Sequence, residues 1–213
     1  MCTAYTRLMK TDAKNVREVF INDSFLARSF CVNTCLELES VPMQRTPHLE
    51  FSVKSESESG NRSRPKTILN PTKDFANFVE PKISGVRATL EKFYDLKLGD
   101  LSTTYIAAYS VGEYAGKHRD NFGKEHNIVE GAGDKRQVSI VIYLNDEDDE
   151  QEENTYSGGN LTFYGLTGEG PFADFGLPVK GMAGRLVAFR STIMHEVTKV
   201  TRGTRFVINT GFL

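Results

Sequence analysis

From residue 103 onward the chain is cut into short apolar or alternating runs separated by turn residues. They are TTYIAAY (103–109), RQVSIVIYLN (136–145), GNLTFYG (159–165), GRLVAFR (184–190) and TRFVINTGF (204–212). Each is the length of a strand and too short for a helix of several turns, and closely spaced strands bury their faces as a sandwich or an open barrel. Ahead of them, NVREVFINDSFL reads as a short strand entering a turn. ARSFCVNTCLELES then reads as an amphipathic helix with Phe30, Cys31, Thr34 and Leu38 on or near one face. After Pro81, KISGVRATLEKFYDL sets Ile83, Val86, Leu90 and Phe93 at helical spacing, with Gly99 just beyond the end, so this stripe is expected to be core. Helices first and strands afterwards predict an α+β protein, mainly β.

A chain of 213 residues suits one domain, 1–213, with 1–82 as N-terminal helical and strand support and 83–213 as the catalytic core. The net charge of -2 and the pI near 6.1 give no general attraction for phosphate backbones, so nucleic acid is not favoured as a partner. The opening MCTAYTRLMKTDAKNVREVF has no unbroken apolar core of a signal peptide, and no stretch reaches the roughly 18 apolar residues of a membrane helix. The expectation is a cytoplasmic protein without a membrane partner. Cys2, Cys31 and Cys35 form an odd, sparse set that fits a reducing compartment; Cys31 and Cys35 share a helix face but have no further ligand nearby to complete a zinc site.

Several polar stretches read as surface. Residues 52–65, rich in Ser, Glu and Arg, have the composition of a loop, and His48 and His126 stand without partners at ligand spacing. The run Asp146 to Glu153 is acidic or amide throughout and lacks the glycine-centred spacing of a calcium loop, so it reads as a solvated hairpin loop. Gly158 and Gly159 suit a strand start or bulge beside a pocket.

The chemistry concentrates elsewhere. If SVGEYAGKHRDN continues as a strand, His118 and Asp120 project from one face and Arg119 from the other. One imidazole and one carboxylate supply two metal ligands, and His195, after GRLVAFR and a short turn, is the candidate third. Two histidines and one carboxylate on one face of an octahedron leave three positions open, as in non-haem Fe(II) oxygenases. A chelating 2-oxo acid fills two of these, and its distal carboxylate needs a fixed cation. Arg205, ten residues past His195, has the planar fork for that role, and Tyr109 and Tyr143 offer phenolic donors.

Tyr109, Gly112, Tyr114, His118 and Asp120, followed by YLN (143–145), SGGNLTF (157–163), GRLVAF (184–189) and HEVTKVTRGTRF (195–206), resemble the prolyl 4-hydroxylase-like branch of the Fe(II)/2-oxoglutarate dioxygenases. The resemblance covers about 83–213, with a weaker echo in VFINDSFL. It implies a double-stranded β-helix, a jelly-roll barrel with helices packed outside. It further implies that His118, Asp120 and His195 hold iron, and that Arg205, rather than the nearby Arg202, anchors 2-oxoglutarate, with Tyr109 and Tyr143 as helpers. Arg119 stands where many members carry an apolar or aromatic residue, and it is expected to face away from the metal.

The implied cofactor and co-substrates are Fe(2+), 2-oxoglutarate and O2, with ascorbate as an optional addition. The implied reaction is hydroxylation of an aliphatic C–H, with release of succinate and CO2, and the carboxylate of Asp120 favours hydroxylation over halogenation. The resemblance points to a prolyl or similar residue in a peptide or protein. The alternatives are a free amino acid or small biosynthetic intermediate, and a non-catalytic metal-binding interaction domain. A nucleic-acid demethylase is disfavoured by the acidic balance and by an ending, NTGFL, without an additional arginine. The expected pocket rims are Asn121 to Lys135 and GLTGEGPFADFGLPVKG (165–181).

Overall fold

Each of the five apolar runs forms a strand. The computed structural model describes residues 18–40, 67–69, 71–121, 135–148, 154–166 and 174–213. Within them the chain runs β1 (Val19–Asn22), α1 (Arg28–Ser40), β2 (Thr67–Leu69), α2 (Lys73–Gly85), α3 (Arg87–Tyr94), β3 (Tyr105–Tyr109) and β4 (Ala115–His118). It continues through β5 (Val138–Tyr143), β6 (Asp146–Glu147), β7 (Thr155–Gly158), β8 (Leu161–Phe163) and β9 (Leu177–Val179). The last elements are β10 (Leu186–Arg190), β11 (His195–Val197), β12 (Val200–Arg202) and β13 (Arg205–Phe212). No helix among these residues is long and apolar enough to cross a membrane.

A six-stranded antiparallel sheet, β1-β10-β5-β13-β3-β2, faces a four-stranded one, β4-β11-β8-β9. A smaller sheet, β12-β7-β6, contains the one parallel pair among the described strands, β6 with β7. This is the mainly β, jelly-roll architecture expected, with helices packed outside the larger sheet.

Strand alternation sorts the side chains into two cores. Val138, Ile140 and Ile142 of β5 and Phe206, Ile208 and Phe212 of β13 pack outward with Cys31, Cys35, Val79, Ile83, Leu90 and Tyr94 of the helices. Val141 and Tyr143 of β5, Val207 of β13, Ala107 and Tyr109 of β3 and Val187 and Phe189 of β10 point inward, against Leu161, Phe163 and Val197 of the smaller sheet. Cover on both faces is why these strands read as almost unbroken apolar runs. The same parity fixes the site: Arg205, at the first position of β13, must share the inner face with Val207.

The helices depart from the sequence reading in two respects. The stripe through Ile83 and Leu90 is core as expected, but α2 begins at Lys73, well before Pro81, and Pro81 lies inside it. Thr72 caps the start, its hydroxyl accepting from the Phe75 N–H at 3.2 Å. Burial of Val79 and Ile83, roughly 1.5–3 kcal/mol each, offsets an interior proline that costs about 3 kcal/mol. The stripe is also split: Val86 closes α2 and opens α3. Helix α3 ends at Tyr94 with Asp95 in a left-handed conformation (φ 52°), four residues before Gly99.

Candidate active site

Strands β4 and β11 are antiparallel neighbours with His118 directly opposite His195, which brings the two imidazole centroids to 4.3 Å. Each ring is oriented by its own chain. Nδ1 of His118 donates to the Gly116 carbonyl at 2.7 Å, and Nδ1 of His195 donates to that of Ile193 at 2.9 Å. A carbonyl only accepts, so the proton of each neutral ring sits on Nδ1 and Nε2 is the nitrogen whose lone pair can bind a cation. Phe189 packs edge-on to His195 at 4.7 Å and fixes the ring plane from behind.

Asp120 corrects the sequence picture of a continuous strand, because β4 stops at His118. The carboxylate reaches the histidines from a bend instead, held there by N–H groups of Asp120 and Asn121 that both donate to the Ser191 carbonyl, at 3.0 and 2.9 Å. Arg119 is exposed, as expected. Oδ1 of Asp120 lies 3.6 Å from Nε2 of His118 and 3.9 Å from Nε2 of His195, and the candidate ligand atoms all lie within 4.8 Å of one another. With neutral imidazoles these are three electron-pair donors facing one point with no proton between them, an arrangement that a cation completes. Burial works to raise the Asp120 carboxyl. When the imidazoles carry a second proton, the His118 hydrogen bond and the charges of His195, His118 and Arg136 outweigh it and hold the group well below the usual carboxylate range, and a bound cation takes the place of those protons. Its other oxygen, Oδ2, accepts from the Ser139 hydroxyl at 2.6 Å and lies 3.7 Å from the Arg136 guanidinium.

Arg205 is 1% exposed and sits directly opposite Tyr109 across the β13–β3 ladder. Its guanidinium carbon lies 5.2 Å from the Tyr109 ring centroid and 5.1 Å from that of Tyr143. Among the described residues no carboxylate pairs with it, and neither its Nε nor the hydroxyl of buried Tyr156 makes a hydrogen bond of good geometry. Burial pushes the Tyr143 and Tyr156 phenols upward against the opposing Arg205 charge, so both remain protonated donors. Room for the cation depends on Gly159 (φ +63°), where a Cβ would come within 2.9 Å of both Arg205 Cδ and Val200 Cγ2. Arg202 points to other work: it donates to the Asp148 carbonyl at 2.6 Å and to the hydroxyls of Ser157 and Thr155 at 3.2 and 3.1 Å.

One cleft joins the two ends. It encloses about 490 Å³ of atom-free space, part of it open to solvent, and His118, Asp120, His195, Tyr109 and Arg205 all line it. Arg136 lines it too, with a buried Nε that lacks a partner among the described residues. These orphaned donors and the converging lone pairs fit a cation at one end and an anion at the other. Tyr143 lies in the same inner core beside Arg205. Sequence reasoning missed Tyr156, Ser139, Ser191 and Arg136. Ser139 did carry a signal, being a lone hydroxyl at an inward position of an otherwise apolar run.

Other sequence candidates settle as structure. Cys31 and Cys35 are fully buried in the outer core, where burial pushes their thiols up to about 11 and about 12. The acidic run differs from a simple solvated loop, since Asp146 and Glu147 form β6. Asp146 binds Arg28 at 2.6 Å and accepts from the Ala183 N–H at 2.9 Å, while Glu147 accepts from the Gly181 N–H at 3.1 Å. Cys2, His48, His126, residues 52–65, most of the first expected rim and part of the second lie outside the described residues.

Paired sheets around a cleft with three converging metal-ligand atoms define the class: a jelly-roll protein with a candidate metal centre. The chain belongs to the 2OG-Fe(II) oxygenase superfamily, whose family model matches residues 104–212, just over half of it. Membership implies Fe(II), 2-oxoglutarate and O2 as cofactor and co-substrates. A PKHD-type hydroxylase of Picosynechococcus is 32% identical over 105 residues, which is 49% of this chain and 39% of that protein. The chain thus spans about two fifths of that relative's length. Its fold is similar to that of a Pseudomonas putida prolyl-4-hydroxylase (TM-score 0.61, 21% identity, 92% of this chain and 91% of the other). It is also similar to a Trichoplax adhaerens prolyl hydroxylase solved with a hypoxia inducible factor oxygen degradation domain peptide fragment (TM-score 0.67, 18% identity, 93% and 84%).

Proposed function

We propose that this chain is a hydroxylase that acts on a prolyl or similar residue of a peptide or protein. The observation that carries this reading is the cleft joining the His118, Asp120 and His195 donors to a buried guanidinium with no carboxylate partner among the described residues. With Fe(II), 2-oxoglutarate and O2 bound, such a site couples decarboxylation of 2-oxoglutarate to succinate and CO2 with insertion of one oxygen atom into a substrate C–H bond.

The chain's own groups divide the work. His118 and His195 present Nε2, and Asp120 presents Oδ1, to the metal. Arg205 binds the distal carboxylate of 2-oxoglutarate through its fork, with the phenols of Tyr109, Tyr143 and Tyr156 donating around it. Val141 and Leu161 give the cleft an apolar wall between the two ends, which strengthens each of these contacts. At the cleft wall beside Asp120, the Nε of Arg136, without a hydrogen-bond partner among the described residues, suits a substrate carbonyl oxygen. The peptide reading draws support from the Trichoplax structure, which contains a peptide fragment.

The test is succinate formation, followed by mass spectrometry, with Fe(II), 2-oxoglutarate and ascorbate, in air and under argon, with and without proline-containing peptides. The expected result is O2-dependent succinate, stimulated by a peptide that gains one oxygen atom. Stimulation by free amino acids alone would overturn the peptide reading. No succinate under any condition would favour a metal-binding interaction domain.

A further inference from the structure

The metal-site reading says which atoms of Asp120 face the cation; the groups behind the carboxylate say how it is held. Ser139 and Ser191 are both buried, at 2% and 0% exposure, and their hydroxyl oxygens lie 2.8 Å apart. Ser139 has one hydroxyl proton, and at 2.6 Å from Oδ2 it goes to the carboxylate, the stronger acceptor. Ser139 is therefore the acceptor in the other contact, and Ser191 the donor. The two hydroxyls form a directed chain, Ser191 to Ser139 to Asp120, in which each bond polarises the next.

Ser191 is tied in from three sides. Its carbonyl accepts from the N–H groups of Asp120 and Asn121, and its own N–H donates to the Gln137 carbonyl at 3.0 Å. It also stands at the end of β10, at the head of the turn that delivers His195. One residue thus couples the backbone of two candidate ligands to the carboxylate orientation of one of them.

Resting on the proposed metal site, we infer that Ser139 and Ser191 are positioning residues that hold Asp120 as a one-oxygen ligand. Oδ2 is engaged by Ser139, with Arg136 next to it, and only Oδ1 faces the two Nε2 atoms. The consequence is a matter of counting. An octahedral ion has six positions, of which two histidines, one carboxylate oxygen and a chelating 2-oxo acid take five. Chelation by both Asp120 oxygens would take the last and leave none for O2. The hydroxyl chain therefore keeps a position open rather than adding binding strength.

Nitric oxide, an O2 surrogate, tests this without turnover. The protein is loaded anaerobically with Fe(II) and 2-oxoglutarate and titrated with nitric oxide, and the quartet EPR signal is followed at equal iron occupancy in wild type, Ser139→Ala, Ser191→Ala and Ser139→Thr. The expected result is nitric oxide affinity lower by about tenfold in Ser139→Ala, a smaller loss of the same sign in Ser191→Ala, and recovery in Ser139→Thr, which keeps the hydroxyl. Equal affinity in wild type and Ser139→Ala overturns the inference. If Ser139→Ala does not fold, Ser191→Ala decides, and wild-type affinity there overturns it. A wild type that gives no nitric oxide signal with iron and 2-oxoglutarate overturns the metal-site reading and this inference with it; unchanged variants beside a responsive wild type overturn only the hydroxyl chain.

Discussion

At one end of the cleft, His118, His195 and Asp120 each have their second polar atom committed to protein, on the carbonyls of Gly116 and Ile193 and on the hydroxyl of Ser139. At the other end, Arg205 is buried among tyrosines, and among the described residues it has no carboxylate partner and its Nε donates to nothing. The first end is oriented before any ligand arrives. The second holds a desolvated cation whose burial costs free energy until an anion joins it. Ligand-free protein should therefore tolerate loss of the second end better than ligand binding does.

Substitutions can break that comparison, and the largest effect belongs to the metal end. His195→Ala is expected to weaken Fe(II) or Mn(II) binding by more than about a hundredfold, since even outer contacts of metal ligands are worth 10–100-fold. Anaerobic metal titration reads it, with circular dichroism showing the sheets retained.

Next comes Arg205→Met. Truncating one partner of a buried charge pair costs about 2–5 kcal/mol, so the 2-oxoglutarate requirement should rise at least about thirtyfold, with metal affinity unchanged. In ligand-free protein the Tm should stay level or rise, because a buried unpaired charge has been exchanged for an apolar side chain. A Tm well below wild type would mean that the tyrosines alone satisfy the guanidinium.

Gly159→Ala sharpens the same point through the backbone. A Cβ there meets Arg205 Cδ and Val200 Cγ2 at 2.9 Å, and its φ of +63° adds roughly 1–2 kcal/mol of strain. Both stability and 2-oxoglutarate affinity should fall, while metal binding holds. The smallest effect lies outside the cleft. Burial disfavours the thiolates of Cys31 and Cys35, raised to about 11 and about 12, so in native protein both should resist iodoacetamide at pH 8 and react once denatured. Peptide mapping distinguishes them from Cys2.

Much of this arrangement was legible beforehand, for physical reasons. Strand alternation is local, so β3, β5, β8, β10 and β13 could be read from apolar runs, and with them the shared face of Arg205, Tyr109 and Tyr143. The candidate ligand set was legible because metal chemistry restricts residue types and histidines are scarce. What escaped was set by contacts distant in sequence. The start of α2 depends on tertiary burial of Val79 and Ile83 overriding the proline signal. The end of β4 depends on the Ser191 carbonyl capturing the backbone at Asp120, 71 positions away in the sequence. Tyr156 reaches Arg205 only because β7 pairs with β12, and nothing near TYSGG announces that partner.

The most direct test of the central claim is an anaerobic titration of Fe(II)-loaded protein with 2-oxoglutarate, following the visible metal-to-ligand charge-transfer band in wild type, His195→Ala and Arg205→Met. The account predicts a band in wild type, none in His195→Ala, and in Arg205→Met a band that needs far more 2-oxoglutarate. A band that saturates at the same 2-oxoglutarate concentration in wild type and Arg205→Met, or one that survives the loss of His195, would contradict it.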